Sequence, residues 1–155
     1  MSLAVIHIGS NIEPENNFLR GLTALRAVFP VQQESRIWQT PAWGTSSAPF
    51  YNAACLAQTH LPADQIKSTI LTPLETRLGR MRTSEKFAPR VIDFDLLALD
   101  DQILEPALWE LPHLFVPVAD LYPTWTVPGT DIPLIQLARD PDLRFGFELI
   151  AWPNS

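Results

Sequence analysis

The sequence predicts an α+β domain of the ferredoxin-like type: an α/β sandwich with an antiparallel central sheet and additional short C-terminal helices. Three observations carry that expectation. Runs of apolar residues follow the order strand, helix, strand, strand, helix, strand, which is the split βαβ arrangement. Two longer stretches repeat their apolar residues at helical spacing, as helices lying on a sheet must. The chain of 155 residues is 46% hydrophobic and 18% charged, enough for one domain, 1–155, with its own core.

The elements follow in order. Leu3 to Ile8 reads as a buried strand ended by the turn cluster Gly9-Ser10-Asn11. Glu13-Pro14 opens a helix whose apolar stripe is Phe18, Leu22, Leu25 and Phe29, and Pro30 closes it. Val31 to Trp38 is a second strand, and Thr40 to Pro49 is a Pro/Ser/Gly-rich loop carrying Trp43. Phe50 to Thr59 is a third strand. Pro62 opens a second helix with Ile66, Ile70, Leu74 and Leu78 four apart, kinked at Pro73 and ended at Gly79. After a basic loop, Val91 to Leu99 forms a central strand, turned at Asp100-Asp101 into Gln102 to Leu104. Short helices are expected around Val116 to Leu121 and Leu134 to Ala138.

Composition removes several function classes. The formal charge is −6, which argues against a nucleic-acid or acidic-membrane partner. Cys55 is the one cysteine, so neither an internal disulfide nor a thiolate metal cage is available. The start of the chain lacks a basic leader, and the longest uncharged stretch, Ile37 to Ala63, is interrupted by Pro41, Pro49 and Pro62. The expectation is a soluble cytoplasmic monomer. Its basic residues are nevertheless concentrated. Arg77, Arg80, Arg82, Lys86 and Arg90 share a short window with a single acid, Glu85. From Val91 to Ala138 no Lys or Arg occurs. Such a cluster on an acidic chain suits a pocket for a small, highly charged anion, or else a solvated helix end.

Asp93 and Asp95 are the most informative pair. Two apart on a strand, both carboxylates project from one face while Ile92, Phe94 and Leu96 turn to the other. Their roots lie about 6–7 Å apart, and at an effective dielectric near 20 they repel by roughly 2–3 kcal/mol. A divalent cation offsets that repulsion, and an oxygen-only pair suits Mg²⁺. A soluble strand edge is the plainer reading of a bare Asp-x-Asp. The neighbouring Arg80, Arg82 and Arg90 favour the metal, because guanidinium groups bind phosphate oxygens through paired hydrogen bonds. Carboxylates for a metal beside arginines for phosphate are what phosphoryl transfer requires. There is no P-loop and no Gly-rich dinucleotide loop, so a nucleotide site here is built differently.

With these residues in view, the chain resembles the 6-hydroxymethyl-7,8-dihydropterin pyrophosphokinases of folate biosynthesis. The matching stretches are Ile8-Gly-Ser-Asn11, Thr40-Pro-Ala-Trp-Gly44, Phe50-Tyr-Asn-Ala-Ala54, Leu74-Glu75, Leu78-Gly-Arg-Met-Arg82, Phe87-Ala-Pro-Arg-Val-Ile-Asp-Phe-Asp95 and Pro112-His113. The resemblance implies transfer of pyrophosphate from ATP to the pterin hydroxymethyl oxygen, with release of AMP. It implies that Asp93 and Asp95 hold two Mg²⁺ ions, and that Arg80, Arg82 and Arg90 contact the triphosphate. Glu75, Phe87, Leu96 and His113 would complete the ATP site. Thr40, Pro41, Trp43, Phe50 and Asn52 would form the pterin pocket, with Asn52 reading the ring edge. His7 and His60 receive no role.

Two departures stand out. Phe87 replaces the tryptophan common in the family, and the loop after His113 is short, with no basic residue before Arg139. Phe115 is the nearest candidate for the aromatic that this loop would otherwise bring to the pterin. A diverged nucleotide- or pterin-binding module, or a relative with an altered pterin substrate, would keep the same pocket. Retention of both aspartates beside the arginines favours catalysis.

Overall fold

The computed structural model describes residues 1–41, 48–80 and 90–151. Strand β1 (Ser2–Ser10) is central, pairing antiparallel with β4 (Phe50–Thr59) on one side and β5 (Asp93–Leu99) on the other. Beyond β4 come β3 (Ile37–Thr40) and then β7 (Glu148–Ile150), and beyond β5 comes the short β6 (Gln102–Ile103). Every pairing is antiparallel, and the order β6-β5-β1-β4-β3-β7 contains the expected split βαβ arrangement.

Helices cover both faces, which explains why β1 is apolar along most of its length. On one face, α1 (Pro14–Val28) and α3 (Thr72–Arg77) bury Phe18, Leu25 and Leu74 against Ile6, Ile8 and Phe94. On the other, α4 (Pro112–Leu121) and α5 (Leu134–Ala138) bury Phe115, Val118 and Leu134 against Val5 and Leu97. Alternation along the strands therefore decides which residues reach which layer.

Four local expectations need correction. The second strand is two pieces, β2 (Val31–Glu34) and β3, because the Ser35 hydroxyl takes a place in the ladder. Ser35 N donates to the Ala54 carbonyl, and Ala54 N donates back to Ser35 Oγ, each at 2.8 Å. The second helix is not simply kinked at Pro73. Its run passes from α2 (Ala63–Gln65) through a π-helical stretch, Ile66–Leu71, into α3. The wide turn ends just before Pro73, whose ring would otherwise crowd the Thr69 carbonyl and leave it without a donor. The next helix begins at Pro112 rather than near Val116, so His113 sits in its first turn. The strand predicted from Val91 starts at Asp93, two residues later than expected. A 3₁₀ turn at Pro106–Trp109 and strand β7 carry no comparable sequence signal.

Gly21 sets how closely α1 approaches the sheet beside the aspartate strand. A β-carbon there would lie 2.9 Å from Ile92 Cγ1 and closer still to Cδ1, and Ile92 is fully buried. Gly21→Ala gains about 1 kcal/mol of helix propensity but overpacks the core at a cost of about 1–3 kcal/mol. A lower urea midpoint at unchanged slope is the expected result. A raised midpoint would mean that Ile92 moves aside freely.

Candidate active site

The candidate side chains converge on one face of the sheet, at the end where four adjacent strands present them. Thr40 comes from β3, Phe50 and Asn52 from β4, His7 and Gly9 from β1, and Asp93 and Asp95 from β5. Register brings Gly9 opposite both Asn52 and Asp93, so a residue without a side chain separates the amide from the carboxylate. A β-carbon at Gly9 would meet Asn52 Oδ1 and His7 Cε1 at 3.4 Å and Phe50 Cδ1 at 3.7 Å. Gly9 thus forms the floor of a hollow walled by those three side chains. Asn52 is buried and donates from Nδ2 to Thr40 Oγ1 at 2.6 Å, which fixes the amide's orientation.

The acidic end is organised by one guanidinium. Arg80 Nη1 donates to Glu75 Oε2 and to Asp93 Oδ1, each at 2.6 Å. Glu75 Oε2 also accepts from the backbone N–H of Phe94 at 2.8 Å, so α3 is tied to β5 at the Asp-x-Asp segment. Burial, then the nearby Asp93 charge, holds the Glu75 carboxyl above its ordinary range against the opposing pull of the Phe94 N–H and Arg80. Desolvation by the surrounding protein, followed by the Asp93 and Glu75 charges, pushes Asp95 up to about 8. Half of the Asp95 side-chain surface is nevertheless exposed, so it faces an opening rather than the core.

This donor set fits a hard divalent cation. Arg80 pairs with Glu75 and Asp93, while Asp95 is raised first by desolvation and then by the Asp93 and Glu75 charges. Among the described residues no cluster of three or more His, Cys, Asp or Glu forms a protein-only cage. An ion held by two carboxylates and completed by phosphate oxygens and water, as Mg²⁺ is, needs no such cage.

The other expected residues distribute unevenly. His113 lies in the first turn of α4 with its ring edge-on to His7, centroids 5.8 Å apart. Burial lowers its pKa and the Asp93 charge raises it. Pro41 is exposed at the end of β3. The Arg90 backbone is anchored to Asn11. Trp43, Arg82 and Phe87 lie outside the described residues. Arg80 is only 14% exposed and donates to two carboxylates, so it also braces the acids beside which it sits. Two expectations change. Leu96 turns to the opposite face and packs with the α1 side of the core. Phe115 is 1% exposed within the second core, so it is no substitute pterin platform.

The sequence reading gave no chemical role to Asn11, named within the turn cluster Gly9-Ser10-Asn11, or to His7. Asn11 donates to the Ala48 carbonyl at 3.2 Å and accepts from Arg90 N at 2.6 Å, fastening both chain segments that flank the hollow. His7 lies on the same face as the aspartates, 3.9 Å from Asp95. A polar residue inside an apolar strand, in phase with the Asp pair, was the available signal.

The raised Asp95 pKa has a definite sign. A carboxyl near 8 in the folded state against about 4 unfolded favours the protonated fold. That contribution is full below about pH 4 and disappears as pH rises through about 8. In metal-free buffer, Asp95→Asn is expected to gain in Tm relative to the parent across that range. Parallel Tm–pH curves for the two proteins would count against it.

Comparison with known proteins follows the same residues. The family model for 7,8-dihydro-6-hydroxymethylpterin-pyrophosphokinase matches residues 5–123. A 2-amino-4-hydroxy-6-hydroxymethyldihydropteridine pyrophosphokinase of Synechocystis sp. is 31% identical over 150 residues, covering 90% of this chain and 76% of that protein. One of Methylorubrum extorquens is 31% identical over 153 residues, covering 91% and 96% respectively. One of Aquifex aeolicus is 26% identical over 124 residues, covering 79% and 76%. The match spans the four strands that carry the hollow and the paired aspartates, and on it the chain belongs to the 7,8-dihydro-6-hydroxymethylpterin-pyrophosphokinase family.

Proposed function

We propose that this chain moves the pyrophosphoryl group of ATP to the hydroxymethyl oxygen of 6-hydroxymethyl-7,8-dihydropterin, a step of folate biosynthesis, using the residues assembled above. Family membership gives the reaction class and ATP as co-substrate. The observation that supports the residue assignment is the juxtaposition of Asn52, Gly9 and Asp93 across three adjacent strands. A flat heterocycle laid over Gly9 brings its polar edge to the Asn52 amide and its hydroxymethyl arm toward the carboxylates.

The roles then follow from the side chains. Asn52, oriented by Thr40, recognises the ring edge, and Phe50, Trp43 and Pro41 supply apolar contact. Asp93 and Asp95 would hold Mg²⁺, two ions by family resemblance, which when bound would supply neutralisation of the polyphosphate charge and Lewis-acid activation of the transferred group. Arg82, Arg90 and His113 draw the triphosphate into line, while Arg80 and Glu75 keep Asp93 in place. Phe87 packs on the nucleotide. The pterin oxygen forms a bond to the β-phosphorus as the bond from that phosphorus to the bridging α–β oxygen breaks. AMP leaves with that oxygen, and the hydroxyl proton passes to solvent. The protein needs no covalent nucleophile.

The same reading takes the chain as a single-domain monomer acting in the cytoplasm, without nucleic acid or membrane. The net charge of −6 supports it, and among the described residues no helix is long and apolar enough to cross a membrane.

Incubation with ATP, Mg²⁺ and 6-hydroxymethyl-7,8-dihydropterin is expected to yield AMP, dependent on both metal and pterin. Release of ADP would indicate a different transfer and overturn the reading. Asp95→Ala is expected to lower kcat by at least about a hundredfold with the fold retained. Arg82→Ala should slow turnover by about 10²–10³-fold if its charge supports the transferring group. Rates near the parent's would return either residue to the solvated surface.

A further inference from the structure

The mechanism leaves His7 without a role, yet this residue stands in the middle of the site. In the β1–β5 register His7 lies directly opposite Asp95, and opposed side chains share a face with β-carbons about 4.5–5.5 Å apart. Nδ1 is 3.9 Å from Asp95 Oδ2, just beyond hydrogen-bonding range. The residue is 3% exposed, and among the described residues neither ring nitrogen meets a partner at full hydrogen-bonding geometry, although the Asn52 amide and the His113 carbonyl lie close by. A buried imidazole with both nitrogens unsatisfied is costly, and such groups in folded proteins call for a reason.

Its surroundings restrict what that reason is. The Asn52 amide, the His113 ring and backbone carbonyl, Asp93 and Asp95 all face the ring. The His113 carbonyl is itself left without its helical donor, since Pro117 has no N–H to return to it. An imidazole this enclosed is neutral and offers one N–H and one lone pair. A neutral ring cannot serve as a counter-charge to the carboxylates. It does serve as an orienting donor.

We infer that His7 is a positioning residue, whose Nδ1–H turns onto Oδ2 of Asp95 and fixes that carboxylate for a divalent cation. The inference rests on the assignment of Asp95 as a metal ligand. Carboxylates that hold metals are themselves hydrogen-bonded, and losing such a partner typically costs about 10–100-fold in metal affinity. The ring also stands between the Asn52 amide and Asp95, linking the pterin half of the hollow to the metal half.

The test is Mn²⁺ binding, read by electron paramagnetic resonance of the free ion, with a non-hydrolysable ATP analogue so that no turnover is involved. Parent protein, Asp95→Ala, His7→Leu, His7→Asn and His7→Gln are compared, each checked for a cooperative melt. The amide nitrogen of an asparagine occupies the place of Nδ1, and that of a glutamine the place of Nε2. The expected result is weakening by about tenfold or more in His7→Leu, recovery to near the parent in His7→Asn, and little recovery in His7→Gln. If His7→Leu does not fold, the Asn–Gln contrast alone decides. Parent-like affinity in His7→Leu, or equal affinities in His7→Asn and His7→Gln, overturns the inference while loss of binding in Asp95→Ala leaves the ligand assignment standing. If Asp95→Ala binds as the parent does, both fall.

Discussion

Arg80 holds together two carboxylates that belong to different elements, Glu75 on α3 and Asp93 on β5, through a single nitrogen at 2.6 Å from each. Without it, three acids would face one another at the edge of an apolar sheet. With it, the helix and strand are locked in register, and Glu75 is turned so that it also receives the Phe94 backbone N–H. Asp95, with half of its side-chain surface exposed, has its pKa raised first by desolvation and then by the Asp93 and Glu75 charges. A bound cation would relieve the repulsion among these acids, two of which are held in place by α3 and β5.

The sheet provides the remaining precision. Four neighbouring strands each contribute through their pleat, so amide, glycine and carboxylate follow one another at strand spacing across a single face. The helices on that face carry α4 across the sheet, with His113 at its start beside the carboxylates. The residues of the matched family region end at Tyr122–Pro123, before α5 and β7. Those last elements close the second core and the β3 edge, and they contribute none of the side chains assigned here to the site.

Much of this was legible in the sequence because local periodicity and core burial coincide. Phe18, Leu22 and Leu25 announce α1 and are buried in it; Asp93 and Asp95 announce a shared face and have one. What was missed depends on side chains substituting for backbone or on groups distant along the chain. Ser35 interrupts a strand by entering its ladder, and Pro73 is accommodated by a π-helical stretch that begins several residues earlier. The ion pairs of Arg80 were not legible, because charge alone does not reveal that Glu75 and Asp93 hold it. His7 looked like core because its partner, Asp95, is 88 positions away.

The position of β1 has a consequence for how the polypeptide acquires its shape. It is synthesised before both strands that flank it, and its pairs reach to Tyr51–Thr59 on one side and Asp93–Leu99 on the other. Nearly all of the contacts that bury it are therefore long-range, a topology that slows the approach to the native state. Until β5 leaves the ribosome, the nascent chain carries the apolar β1 ribbon with one edge open, a liability for intermolecular association that docking of α1 onto one side relieves only in part.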